Sequence, residues 1–325
     1  MHFMQANGSN NPNLSDSSFF HGRKVWVTGH GGMLGAAMVR NLQNKGASLL
    51  LTTRSELDLT NQSAVLEWAE KNKPELIFHI AAKVGGIYAN ATLPSDFLRE
   101  NLLIQTSVID AAYKVGAQKL VFVASNCTYP TQAKNPISED SLLTGMFDQN
   151  IRAYAISKIA GIEMCRAYHR QHGCDFISII PPNLYGPGDN YHPEHGHVVA
   201  GILRRIHEAK QSGSKEFVVW GDGTPRRELL HVDDLASALE FVMKSPTTHD
   251  LYNVGCGHDL TIAEIAKIAS EVVGFEGNIS YDTSKPNGTM RKLLDSSRIR
   301  DLGWQANINE RDGMQSAYAD FLSRY

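Results

Sequence analysis

Two short stretches of this chain carry side chains that chemistry can use. ASNCTYP, residues 124–130, sets Ser125 and Cys127 two positions apart, directly after the apolar run KLVFV. YAISK sets Tyr154 and Lys158 at i and i+4, on one face of a helix. A neutral phenol is a poor acid or base near pH 7, and a neighbouring ammonium lowers its pKa into a useful range. Ser125, at the end of a strand, can donate to a substrate carbonyl oxygen. Lys158 can also bind a ribose. The set suits proton and hydride transfer at a ketone. Cys127 is ambiguous on its own. A cysteine is most often a small buried hydrophobe, and it acts as a base only if its thiol is held as thiolate. On an extended backbone, Ser125 and Cys127 point to the same side.

Such groups need a scaffold and a cofactor. TGHGGMLG, residues 28–35, joins the first apolar strand to the first helix and spaces Gly29, Gly32 and Gly35 as GxxGxxG. Glycines there permit a tight turn and close backbone approach to a pyrophosphate at the helix N-terminus. The second strand runs LLLTTR. Its Arg54 suits the 2′-phosphate of NADP, where an acidic residue would favour the free hydroxyl of NAD. Glu56 lies close by, and Gly31 supplies no second cation in the turn.

From residue 24 onward, short apolar runs alternate with helical patterns. KVWVTG, LLLTTR, ELIFHIAA, KLVFVAS and DFISII read as strands. MLGAAMVRNLQNKG reads as a helix closed by a glycine cap, SDFLRENLLIQTSVIDAAYKVG as a long helix capped by Ser95, and IRAYAISKIAGIEMCRAYHRQHG as another. This rhythm predicts an α/β fold, a doubly wound Rossmann-type parallel sheet. After PPNLYGPGDN the loops lengthen, and VVAGILRRIHEAKQ, EFVVWG, VDDLASALEFVMK and the capping-box helix TIAEIAKIASEVVG follow. We expect a flexible extension at 1–21, a nucleotide-binding domain at 22–182 and a smaller, interleaved C-terminal substrate domain at 183–325. About 228–255 should return to the first domain.

Bulk properties narrow the class. Charged residues make up 20% and hydrophobic residues 42%, and the net charge is −3. That balance gives no support for a nucleic acid or anionic membrane partner. The four cysteines, Cys127, Cys165, Cys174 and Cys256, fit neither a zinc spacing nor a disulfide framework, so a reducing, cytoplasmic setting is expected. His192, His195 and His197 lie within six residues, but no fixed-spacing cysteine or carboxylate completes a metal site, and none is expected. His30, His231, Cys165, Cys174 and Cys256 read as structural.

Taken together, GxxGxxG, Ser125, YxxxK and RRELLHVDDLA resemble the extended short-chain dehydrogenase/reductases. AAKVGGIYAN, SNCTYP, NLYGPGDNYHPEHGHV and SKPNGTMRKLLD narrow the likeness to the branch that makes GDP-L-fucose from GDP-4-keto-6-deoxy-D-mannose. The resemblance runs from about residue 22 to the C-terminus. It implies NADP(H) as cofactor, held by Gly29, Gly32, Met33, Leu34, Gly35, Arg54, Asp58, Ala82, Lys158, Pro181, Asn183, Leu184 and His197. It implies a GDP-sugar held by Lys83, Ser125, Asn183, Arg205, Trp220, Arg227 and Asn287, with one of Arg204 and Arg205 merely solvated. It assigns Cys127 as the base and His197 as the acid of C3 and C5 epimerisation, and Tyr154, Lys158 and Ser125 to the C4 reduction. It implies a homodimer built on helices near 95–115 and 152–172. Pro182 stands where relatives carry threonine, and Asn287 where they often carry aspartate. Other activities on this scaffold are GDP-L-colitose synthesis, GDP-heptose reduction without epimerisation, and NADP sensing without catalysis.

Overall fold

The computed structural model describes residues 18–192, 196–285, 287 and 289–325. His195 and most of the expected N-terminal extension lie outside the described residues. The first half runs β1 (Lys24–Thr28), α1 (Met33–Leu42), β2 (Ser48–Leu50), α2 (Gln62–Asn72), β3 (Leu76–His79), α3 (Ile87–Thr92), α4 (Pro94–Lys114), β4 (Lys119–Val123), α5 (Arg152–His172) and β5 (Phe176–Ile180). The second runs β6 (Asn183–Tyr185), α6 (Val198–Gln211), β7 (Glu216–Trp220), β8 (Arg226–Arg227), β9 (Leu229–His231), α7 (Val232–Lys244), β10 (Leu251–Asn253), β11 (Leu260–Thr261), α8 (Ile262–Val273), β12 (Asn278–Asp282), α9 (Ser297–Asp301) and α10 (Glu310–Arg324).

Six strands form one sheet in the order β10-β5-β4-β3-β1-β2, every pair parallel. Helices cover both faces. Val25 and Val27 pack with Leu34, Met38, Leu235 and Leu239 of α1 and α7. Trp26 and Ile77 pack with Val65, Val108 and Ile162 of α2, α4 and α5. Burial on both sides explains why these strands are apolar throughout rather than alternating. Fully burying one such aliphatic or aromatic side chain contributes about 1.5–3 kcal/mol. A separate core joins α6, α8 and α10 to β7 through Leu203, Ile265, Met314 and Phe217. α7 and β10, late in sequence, belong to the first layer.

The strand order reverses between β1 and β3, which opens a crevice at their C-terminal ends. Its floor is fixed by Thr28. The Thr28 hydroxyl accepts the Ile80 and Ala81 amides at 3.1 and 3.0 Å and pairs with His79 Nδ1 at 3.0 Å. Burial, reinforced by the Lys158 charge, drives the His79 pKa down to about 3, so this imidazole is neutral.

Several local expectations needed correction. α1 ends at Leu42, and Asn44 takes a left-handed conformation before Gly46 is reached. Ser95 does not cap α4: Leu93 occupies the cap position, and Pro94 starts the helix, where its missing N–H costs nothing. Phe20, placed in the extension, is buried against Phe78 with ring centroids 6.5 Å apart. β6, not among the strands expected from the sequence, pairs in parallel with β9.

Candidate active site

A cavity of about 960 Å³ lies along the ends of the central strands. Its cofactor end is the turn from β1 to α1. Gly29 has φ +71°, and a Cβ there would lie 2.8 Å from the Ala81 backbone. A Cβ on Gly35 would lie 2.0 Å from the Gly29 carbonyl oxygen. No side chain fits at either position, so backbone amides line the approach. Gly32 caps α1 without a side-chain hydrogen bond, leaving the helix N-terminus open to an anion. Met33, Leu34, Arg54, Asp58, Ala82, Pro181, Asn183 and Leu184 line the same cavity. The Arg54 side chain is 77% exposed and lies 3.6 Å from Glu100. This glycine cradle, open helix end and exposed guanidinium fit a dinucleotide carrying a 2′-phosphate.

Ser125, Cys127, Tyr154, Lys158 and His197 meet in the cavity. Ser125 lies two residues past β4 and caps a short 3-10 turn, Asn126–Thr128, with its hydroxyl accepting the Cys127 amide at 3.4 Å. The backbone here is coiled, so the two side chains converge through a turn and not through the extended alternation expected. Lys158 Nζ donates to the Val123 carbonyl at 2.9 Å and lies 5.9 Å from the centre of the Tyr154 ring. Tyr154 meets Phe97 edge-on at 6.2 Å.

Burial sets the protonation states. It lowers the Lys158 pKa to about 8, although the Cys127 charge opposes the shift. It raises the Tyr154 phenol well above the ordinary range, and the Cys127 charge adds to that. The expected lowering of the phenol by the ammonium is therefore overturned by desolvation. Tyr154 is held as a neutral proton donor. Burial also pushes the Cys127 thiol up, against Ser125, Lys292 and Lys158, which pull it down. The thiol is protonated at rest, and a base role requires those cations to take up its charge as the proton leaves.

His197 is the cap residue of α6, with extended backbone and no side-chain bond to the helix amides. The positive end of a helix dipole disfavours an imidazolium. Asp189 reverses this: His197 Nδ1 donates to Asp189 Oδ1 at 2.8 Å, which raises the histidine pKa against the cost of burial. Asp189 is 3% exposed, and its Oδ2 has no hydrogen-bond partner among the described residues.

Lys83 and Arg227 also line the cavity. Lys83 Nζ is paired with Glu100 at 2.5 Å. Arg227 donates to the Thr289 and Arg226 carbonyls at 2.6 and 2.8 Å. Arg205, Trp220 and Asn287 are not among the residues that line this cavity. The Arg205 guanidinium lies 5.6 Å from the Trp220 ring, which is 65% exposed. Asn287 Oδ1 accepts the Asp222 amide at 3.1 Å. Arg204 is the committed arginine of the pair, bonded to Glu208 at 2.7 Å and to the Tyr191 carbonyl. His231 is buried, accepts the Asp233 amide and meets Ser316, so its role is structural.

Three groups escaped the sequence reading. Asp189 lay within the motif PGDNYHPEHGHV without an assigned part. Lys292, buried and lowered in pKa, shares an electrostatic field with Cys127. Glu228 is 0% exposed, and its carboxylate accepts the Leu294 and Gly257 amides at 2.9 and 3.0 Å. It thereby anchors the segment carrying Lys292. The only sequence sign of this was a basic pair, Arg291 and Lys292, next to apolar residues.

The chain belongs to the NAD dependent epimerase/dehydratase family, which residues 25–255 match. Within that family it groups with the GDP-L-fucose synthases. It is 49% identical to GDP-L-fucose synthase 1 of Arabidopsis thaliana, over 97% of each chain. A GDP-L-fucose synthetase from Naegleria fowleri bound to NADP superposes with a TM-score of 0.85 at 26% identity, covering 94% of this chain and 95% of that one. A GDP-6-OMe-4-keto-L-xylo-heptose reductase from C. jejuni superposes with a TM-score of 0.85 at 35% identity, covering 93% and 98%.

Proposed function

We propose that this enzyme converts GDP-4-keto-6-deoxy-D-mannose to GDP-L-fucose by epimerising C3 and C5 and then reducing C4. The observation that carries this reading is one cavity holding both a reductase set (Ser125, Tyr154, Lys158) and a separate acid and base pair (His197, Cys127). A reductase alone has no use for the second pair.

The C4 ketone makes the protons on C3 and C5 acidic, because the carbanion delocalises as an enolate. Cys127 removes the proton from one face while Lys158 and Lys292 balance the charge left on sulfur. Ser125 and Tyr154 donate to the enolate oxygen. His197, held as imidazolium by Asp189, returns a proton to the opposite face and inverts the centre. Tyr154 then protonates the C4 oxygen as the ketone is reduced. NADPH, when bound, supplies the hydride. The glycine turn and Arg54 hold its phosphates, and Lys158 holds its nicotinamide ribose. Arg227 and Arg205 have no carboxylate ion pair among the described residues and suit the GDP diphosphate. A second copy of the chain packs on α4 and α5, where Leu103, Tyr113 and Ile156 are exposed.

Turnover in D₂O tests the reading, with the product examined by NMR. We expect GDP-L-fucose with deuterium at C3 and C5. Reduction without deuterium or inversion would reassign the enzyme as a C4 reductase.

A further inference from the structure

The described residues bring together one cluster of metal-ligating side chains that the reaction does not use. It lies in the turn after β10, where the sequence reads Cys256-Gly257-His258. Gly257 has φ +85°, a conformation that bends the chain sharply between its two neighbours. The third member, Glu310, opens α10 at its first position. The Cys256 sulfur, one His258 ring nitrogen and one Glu310 carboxylate oxygen all lie within 4.8 Å of one another. His258 Nε2 meets Glu310 Oε1 at 2.6 Å.

We propose that Cys256, His258 and Glu310 form a binding site for a thiophilic divalent cation of the zinc class. Zinc takes cysteine sulfur, histidine nitrogen and carboxylate oxygen, commonly as three protein ligands with water in the fourth position. His258 and Glu310 already hold their donor atoms in contact. The His258 side chain is 57% exposed, so ion and water reach the site, while Glu310 is 16% exposed and held on a helix. The Cys256 sulfur lies 3.2 Å from the His258 carbonyl and within 4.8 Å of the other two donor atoms.

The electrostatics around the cluster favour a cation. Cys256 Sγ lies 3.9 Å from the buried Glu228 carboxylate. Glu310 adds a second carboxylate at the cluster, and the Arg300 guanidinium approaches the turn at Gly257. Binding forms the S–metal, N–metal and O–metal bonds and releases the thiol proton to solvent. No electron is transferred. The ion would staple the turn after β10 to the start of α10, two segments far apart in sequence. Local cysteine and histidine spacing did not reveal the site because Glu310 is its third ligand.

Cobalt(II) titration of the metal-free full chain tests this directly, since cobalt reports thiolate ligation by an intense near-ultraviolet charge-transfer band. We expect one equivalent to give the band and zinc to displace it. Cys256→Ser should abolish it. His258→Ala and Glu310→Gln should each weaken cobalt binding at least tenfold, while Cys127→Ser leaves it intact. His258 is exposed, so its variant stays informative if Cys256→Ser fails to fold. Absence of the band, its survival in Cys256→Ser, or unchanged affinity in His258→Ala would overturn the proposal.

Discussion

Replacing Asp189 by asparagine isolates what a single negative charge does for His197. The substitution keeps shape. The side-chain amide of the Asp189→Asn variant can place its carbonyl oxygen where Asp189 Oδ1 now accepts His197 Nδ1 and the Asn190 amide at 2.8 and 2.7 Å. The new NH₂ falls where Oδ2 lacks a partner among the described residues, so the substitution removes no second hydrogen bond. What is lost is the charge-assisted part of the bond. A hydrogen bond to a charged group contributes about 1.5–3 kcal/mol, and a neutral one about 0.5–1.5. The His197 side chain is 40% exposed, so solvent screening favours the low end, a loss of about 1 kcal/mol. That corresponds to about a fivefold fall in epimerisation at a pH where the imidazolium must be held against deprotonation. The assay is deuterium wash-in at C3 and C5 with oxidised cofactor present, followed across pH. Asp189 raises the histidine pKa, so wild-type activity should persist to higher pH and the variant should fail earlier on the alkaline side. Linkage gives the matching sign for stability. The pair stabilises the fold fully below the ordinary imidazole pKa and loses that contribution as pH rises through the raised value. The variant's deficit in Tm should therefore be greatest at mildly acidic pH and fade at alkaline pH. A wash-in defect equal at every pH, or none, would refute the charge argument.

Cys127→Ser should lower wash-in at C3 and C5 by about 10²–10⁴-fold, the usual worth of a positioned acid or base. NADPH oxidation with an already epimerised 4-ketosugar should stay within severalfold of wild type, and a parallel loss would make Cys127 structural. Arg54→Ala should weaken NADPH binding by about tenfold, the low end for an exposed charged contact, and leave NADH binding unchanged. Fluorescence titration with both cofactors measures the two constants, and equal weakening would remove Arg54 from 2′-phosphate recognition.

Much of the fold was legible because the signals were local. Residues 198–211 carry a clean apolar stripe, and Thr261 and Glu264 exchange the two hydrogen bonds that the capping box requires. The glycine turn was readable because its spacing lies within seven residues, although the close approach at Gly29 is to Ala81, far along the chain. What escaped depended on distant partners. β6 is three residues long and exists through its pairing with β9. Asp189, Glu228 and Lys292 act through contacts made by folding. The resemblance pointed to Arg205 of the Arg204 and Arg205 pair, and the ion pair of Arg204 with Glu208 could not be read from sequence alone. The protonation states of Cys127 and Tyr154 were the least accessible, because burial raises both, for Cys127 against the pull of Lys292 and Lys158 and for Tyr154 together with the Cys127 charge.

The return of the chain to its first layer bears on how the protein is made. β5 ends at Ile180, and its outer neighbour β10 begins only at Leu251. A ribosome therefore releases the five earlier strands well before the one that closes that edge. During that interval β5 presents an unpaired row of amides and carbonyls, flanked by an incompletely covered apolar face that awaits α7. Open parallel edges of this kind recruit other chains. Synthesis speed through residues 181–250 therefore sets how long that edge stays open. A nucleotide-binding fragment cut after β5 would inherit the exposed edge permanently.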